Sequence, residues 1–288
     1  MDYLIHLAIL ISIYAILGVS LNLVVGYAGL LSVTQAAFYG IGAYATAILL
    51  TTTGMNFFLS ILVGIIVTIV VSLAIGFILS RFNGDYYALG SFGFNIIVGS
   101  IFLNWQSLTN GPLGIPGIKR PELFGINFNN NLYFLFLVVI VAVLLYYFAK
   151  FLTESSFGRV LKAIREDEKA IQIFGYNTLF FKLTIFVIGA CIASVAGSFF
   201  ASYITYVDPS SFMLMESVFI LVIIILGGLA NNKGAVMGAI FLVLLPEILR
   251  FVGFSSDIAA QMRQVTYGLI LILLMLYRPQ GLVGEYKI

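Results

Sequence analysis

No charged residue occurs between Asp2 and Arg81. A membrane-crossing helix needs about 20 apolar residues, so this stretch predicts three spans, at about 4–25, 30–50 and 57–80. The second is entered through Gly26, Tyr27, Ala28 and Gly29. The opening segment has no basic residue before it and no small-residue cleavage site after it, so it is expected to be retained. A fourth span, at about 86–105, is expected to be interrupted by Gly90, Gly93, Asn95 and Gly99. A loop at about 106–131 follows, broken by Gly111, Pro112, Gly114, Pro116 and Gly117. Later apolar runs near 132–150, 181–205, 212–230, 235–252 and 262–277 bring the expectation to about nine transmembrane helices. The turns at 26–30 and 231–234 are where that number is most open to error.

Two spans carry rows of small residues. Ser60, Gly64, Thr68, Ser72, Gly76 and Ser80 recur every four positions in the third. Gly189, Ala193, Gly197 and Ala201 do so in the sixth, beside Ala190, Ser194, Ser198 and Ser202. Residues four apart share a helix face. In lipid, small residues let helix backbones approach. Close packing is the expectation, and a pathway lined by Ser194, Ser198 and Ser202 the alternative.

Composition agrees with the pattern. The chain is 61% hydrophobic and 9% charged, against roughly 25% charged in soluble domains. That excludes a soluble enzyme, a disulfide scaffold and a disordered protein. The predicted fold class is all-α, a polytopic integral membrane protein in one transmembrane domain over 1–288. A net charge of +2 makes no case for nucleic acid. Cys191 and His6 are each the only residue of their type, so neither an internal disulfide nor a His-rich metal site is expected. No cofactor is expected.

Ten of the 26 charged side chains lie in residues 150–182. Placed in the cytoplasm with alternating spans, this loop brings ten basic residues inside against four outside, as the positive-inside rule favours. The C-terminus then falls in the cytoplasm. Within the loop, Val160, Leu161, Ile164 and Ile171 recur at helical spacing, with Arg159, Lys162, Glu166 and Lys169 on another face. Ser155 or Ser156 can cap the start, and Gly175 can end the helix. An amphipathic cytoplasmic helix is predicted. It either lies on membrane lipid or docks a cytoplasmic protein, and the acidic Glu166, Asp167 and Glu168 favour a protein surface mildly.

The run Gly158-Arg159-Val160-Leu161-Lys162-Ala163-Ile164-Arg165-Glu166-Asp167-Glu168 resembles the cytoplasmic loop of LivM-type permeases, membrane subunits of branched-chain amino-acid ABC importers. Leu21 to Ser32, Gln35 to Phe38 and Gly40 to Tyr44 look like that family's first block. Asp85 to Leu89, Thr109 to Ile115, Leu226 to Leu229, Gly234, Gly238, Leu245-Pro246-Glu247 and Arg278 to Leu282 resemble later ones. The likeness spans nearly the whole chain in order. One departure stands out. Many ABC permeases have Glu-Ala-Ala with a glycine six residues after the Glu, whereas Glu168-Lys169-Ala170 is followed by Gly175.

The resemblance implies a permease domain in a prokaryotic inner membrane. Its implied partners are a second homologous permease, two cytoplasmic ABC ATPase subunits and an external solute-binding protein. Arg159, Lys162, Arg165, Glu166, Asp167 and Glu168 would couple it to an ATPase across a loop at about 151–180. The solute would be a branched-chain amino acid or another small polar molecule.

The chain itself lacks a phosphate loop. Gly227 to Gly234 has Asn232 before Lys233 and no hydroxyl residue after it, so ATP hydrolysis is expected in partners. Catalysis by His6 is not expected. A transport path needs polar groups or broken helices near the membrane centre. Asn22, Gly26, Gly29, Ser32, Thr34 and Gln35 supply them in one segment, with Asn95 as a second candidate. A simple hairpin at 26–30 is the competing reading. An ion-coupled transporter using Glu216 or Glu247, or a passive channel, is the alternative function. Arg250 at i+3 would favour a structural pair with Glu247.

Overall fold

Backbone polar groups in lipid must be satisfied within the chain, which long apolar runs achieve as helices. The computed structural model describes residues 2–82, 84–123 and 126–251, with isolated positions 265, 268, 269, 272, 281 and 282. Helix α1 (Asp2–Leu21) continues through a π-helical stretch, Asn22–Tyr27. Helix α2 (Gln35–Ile48) is likewise extended by Leu49–Thr53. Helices α3 (Phe57–Leu79) and α4 (Asp85–Asn104) follow. The next loop holds a short helix, α5 (Gln106–Thr109), and the strands β1 (Ile115–Pro116), β2 (Glu122–Leu123) and β3 (Ile126–Asn127). Then come α6 (Asn131–Glu154), α7 (Ser156–Glu166), α8 (Glu168–Ile173) and α9 (Thr178–Ile204). Strand β4 (Tyr206–Val207), α10 (Leu214–Gly227) and α11 (Asn232–Phe251) follow, with short 3-10 turns at Gly111–Leu113 and Pro209–Phe212. β1 pairs antiparallel with β4, Ile115 opposite Val207, which ties the long loop to the end of α9. β2 and β3 form a separate hairpin.

Among the described residues, six helices are long and apolar enough to cross a membrane, and a seventh span is reached if α10 and α11 count as one. These two helices are bent by 119° at their junction. α10 has 14 residues, about 21 Å at 1.5 Å per residue, and is too short for a hydrocarbon core of ~30 Å. The two helices occupy the expected seventh and eighth apolar runs, and α10 by itself falls short of a full span. The expected ninth, at 262–277, lies almost wholly outside the described residues.

The fourth span is not interrupted. α4 runs unbroken through Gly90, Gly93, Asn95 and Gly99. A glycine inside a helix costs only about 1 kcal/mol relative to alanine, and packing can offset that. A Cβ on Gly90 would stand 2.8 Å from Leu79 Cδ2, so this glycine lets α3 and α4 approach.

The small-residue rows are packing seams. Ser60, Gly64, Thr68, Ser72 and Gly76 are buried on α3. Between α2 and α9 the backbones touch. A Cβ on Gly197 would fall 1.9 Å from the Tyr39 carbonyl oxygen, and one on Gly42 2.1 Å from that of Ser194. Thr46 Oγ1 donates across the seam to Ser198 Oγ at 2.7 Å. At the far end of the bundle His6 Nδ1 meets the Tyr203 hydroxyl at 2.6 Å.

Candidate coupling and translocation site

The loop's first helix starts where the sequence places a cap. Ser155 Oγ accepts from Gly158 N at 3.5 Å, and α7 buries Gly158, Leu161 and Ile164. The single predicted helix is in fact two. Asp167 takes an extended conformation, with φ −151°, and its carboxylate accepts from Ala170 N at 3.1 Å to cap α8. Gly175, at φ +86°, reverses the chain into α9, as a glycine does at a helix end.

The predicted coupling residues divide by what they touch. Arg165 reaches inward and donates to the Gly26 carbonyl. Lys162 lies over the Tyr27 ring, 5.5 Å from its centre. Glu168 pairs with Lys182 at the start of α9. Arg159 is exposed and folds back onto Ser156 Oγ at 2.8 Å. Glu166 is exposed too. Arg165 and Lys162 thus grip the end of α1, Asp167 and Glu168 shape the loop, and Arg159 and Glu166 face outward. Gly29 sits under Arg165 with φ +69°, where a Cβ would meet Arg165 Cγ at 2.8 Å. Both the left-handed backbone and the close approach need glycine. A groove of about 930 Å³ lies between the loop, residues 28–31 and the α3–α4 turn, with Asp85, Arg165, Glu166, Glu168, Lys169 and Lys182 along it.

From Gly29 the chain runs unwound into the bundle, and several of its backbone groups bond to side chains. Val33 N donates to Ser91 Oγ at 3.0 Å, and Val33 O accepts from Asn95 Nδ2 at 3.0 Å. Ser32 and Thr34 share a hydroxyl hydrogen bond of 2.9 Å. Gln35 Nε2 donates to Ser20 Oγ at 2.5 Å and to the Gly189 carbonyl at 3.4 Å. Ser217 Oγ then accepts from both Ala36 N, at 2.9 Å, and Asn95 Nδ2, at 2.8 Å.

Asn95 lies ten residues into α4, roughly 15 Å from its end. α2 therefore starts inside the bundle, and so does α10, whose fourth residue is Ser217. Two helix starts, each with partial positive charge, meet at one buried level. Asn95 Oδ1 is buried there without a hydrogen-bond partner.

Ser32, Thr34, Gln35 and Asn95 thus come together. Asn22 and Gly26 do not join them. Asn22 Oδ1 accepts from Ala230 N at 3.0 Å, and its Nδ2 donates to Asn232 Oδ1 at 3.2 Å. A Cβ on Gly26 would overlap Asn22 Oδ1 at 2.1 Å. This pair holds the α10–α11 turn against α1. Glu216 accepts from the Tyr14 hydroxyl at 2.7 Å, joining α10 to α1. The Arg250 side chain, expected beside Glu247, lies outside the described residues. Sequence reasoning missed Ser20, Ser91 and Ser217. Single serines in apolar helices carry no signal of partners as distant as the 181 positions between Ala36 and Ser217.

Comparison with known proteins adds the family. The family described as branched-chain amino acid transport system / permease component matches residues 3–276. The chain is 34% identical to the high-affinity branched-chain amino acid transport system permease protein LivM of Escherichia coli (strain K12), over 97% of this chain and 69% of that protein. It is 26% identical to the probable branched-chain amino acid transport permease protein LivM of Methanocaldococcus jannaschii, over 96% and 92%. It is 26% identical to the high-affinity branched-chain amino acid transport system permease protein LivH of Escherichia coli (strain K12), over 96% and 93%. No solved structure matches the chain.

Proposed function

The chain belongs to the permease family of branched-chain amino acid transport systems, and from that premise we propose that it forms half of the membrane path of an ATP-driven importer. Residues 1–288 act as one permease domain in a prokaryotic inner membrane, with the loop at about 151–180 and the C-terminus in the cytoplasm. The loop at about 106–131 faces outward to a solute-binding protein. A second homologous permease supplies the other half of the path, and two ABC ATPase subunits hydrolyse ATP. The solute is a branched-chain amino acid, by likeness to the relatives' named systems.

One observation carries the coupling step. The hydrogen bond from Arg165 to the Gly26 carbonyl joins the charged loop to the end of α1, and the unwound segment runs from there to the polar junction. An ATPase docked on Arg159, Glu166 and the outer face of α7 would move that helix. Arg165 and Lys162 would carry the movement to Tyr27 and Gly29, the hinge of the segment. The segment holding Ser32, Thr34 and Gln35 would then draw Ala36 away from Ser217, opening the junction at Asn95 beside two helix starts that suit a carboxylate.

The test is purification in mild detergent from the native membrane, with companions identified by mass spectrometry. A stoichiometric phosphate-loop ATPase and a second permease are expected. Reversing Arg159 and Arg165 to Glu should abolish uptake while the protein stays folded. The buried contact of Glu216 with Tyr14 favours a second reading, ion-coupled transport. That reading gains if the chain purifies alone and uptake fails on Glu216→Gln but survives the arginine reversals.

A further inference from the structure

Two cavities adjoin at the end of the bundle that carries the charged loop. The first, of about 280 Å³, is polar and lies among Tyr27, Lys150, Lys162 and Lys233, with Glu154 as the carboxylate in its wall. The second, of about 450 Å³, is an apolar groove between α1, α6 and α11, walled by Ile11, Val19, Val139, Val236 and Met237. Tyr146 and Lys233 line both, so the two lie side by side.

The polar cavity suits an anion. Among the described residues, Lys150, Lys162 and Lys233 line it beside Glu154, which meets Lys150 only at 3.8 Å, with both side chains substantially exposed. Such a pair is weak. The start of α11, a 20-residue helix, borders the same cavity through Asn232 and Lys233 and adds its partial positive charge.

The groove sets what kind of anion it is. Ile11 to Val19 covers about 12 Å along α1, close to the ~15 Å depth of one leaflet's hydrocarbon. A free phosphate would leave that apolar surface unused.

We propose that this composite cavity binds an anionic phospholipid of the leaflet on the loop side. The phosphate sits among Lys150, Lys162 and Lys233, and an acyl chain runs along α1, α6 and α11. Basic pockets between membrane helices recognise headgroups this way. The inference does not depend on which solute is carried or on how transport is energised.

The test uses the purified protein with its native companions and native mass spectrometry after delipidation. Phosphatidylglycerol and phosphatidylcholine are titrated back separately, with glycerol phosphate as a soluble competitor. The double variant Lys150→Gln/Lys233→Gln leaves Lys162 and the coupling contacts intact. Tight phosphatidylglycerol binding is expected, weakened about fivefold for each lysine removed. Phosphatidylcholine should bind weakly to both forms, and glycerol phosphate should not compete. Met237→Trp fills the groove without touching a lysine and should also release the lipid, so the proposal stays testable if the double variant misfolds. Equal retention of both lipids, or full phosphatidylglycerol retention by both variants, would overturn it. So would displacement by glycerol phosphate, or efficient cross-linking of a Met237→Cys variant through that position to another protein chain.

Discussion

The link between the loop and the buried junction makes Arg165→Gln the most informative substitution. Arg165 makes a charge-assisted bond to the Gly26 carbonyl. Hydrogen bonds to charged groups contribute about 1.5–3 kcal/mol. If the bond forms in only one of the two transport conformations, its loss shifts their balance by that amount, roughly tenfold to a hundredfold. Gln keeps a donor but not the charge or the reach. The assay reconstitutes the complex in proteoliposomes and reads ATP hydrolysis and solute uptake from the same vesicles. Hydrolysis should persist, and solute accumulated per ATP should fall by roughly one to two orders of magnitude. Gly29→Ala attacks the same contact from the other side. Its φ of +69° and the 2.8 Å approach to Arg165 Cγ put ~1–2 kcal/mol of backbone cost on that contact. The double variant should lose less than the sum of the two single losses, because both act on one interaction. Unchanged uptake per ATP in both single variants would refute this route of coupling.

Three further outcomes follow from the packing. Gly197→Ala forces a Cβ to within 1.9 Å of a backbone oxygen, so α2 and α9 must separate. A loss of about 1–3 kcal/mol should show as a lower unfolding midpoint in detergent. Ser194 carries a buried hydroxyl without a partner, so Ser194→Ala should leave stability unchanged or raise it by up to ~1 kcal/mol. It should also leave uptake intact, and lost uptake would return the serine row to the pathway. Asn22→Ala removes the bonds to Ala230 N and Asn232 Oδ1, at a cost of about 2 kcal/mol, and hydrogen exchange at 228–232 should quicken while that of α3 does not.

The long spans were legible because lipid makes one demand on every residue of a run. The chain from Asp2 to Arg81 has no charge, and α1, α2 and α3 lie within a few residues of expectation at most ends. The start of α2 is the exception, at Gln35 rather than near residue 30. The glycines at 26 and 29 signalled a break, but no local feature gives its length. The length is set by Ser91, Asn95 and Ser217, which satisfy the unwound backbone from distant helices. The reverse error occurred in α4. Its glycines look like breakers because sequence shows their cost, and for Gly90 it hides the packing against Leu79, whereas Gly93 and Gly99 border open space. The 119° bend between α10 and α11 is not legible either, because hydropathy measures composition and not direction. In the loop, the helical period of Leu161 and Ile164 was visible, while the break at Asp167 depended on a cap that any of three adjacent acids could have supplied.

The junction explains why the proposed cycle would respond to its solute. An α-helix leaves its first N–H groups without intrahelical partners, and α2 begins inside the bundle, where water cannot supply them. Ala37 N and Phe38 N turn back to the Thr34 carbonyl, at 3.0 and 3.3 Å. Ala36 N has Ser217 Oγ instead, from a different helix. The same oxygen accepts from Asn95. Any movement that parts α2 from α10 therefore strips the buried Ala36 N of its acceptor, at about 1–3 kcal/mol, while Asn95 on α4 keeps the Val33 carbonyl. A solute carboxylate offers two oxygens in return and would arrive between two positive helix ends. An empty junction thus resists opening and an occupied one does not. Such a difference is what an importer needs if ATP-driven movement of the loop is to be spent on solute rather than on an open pore.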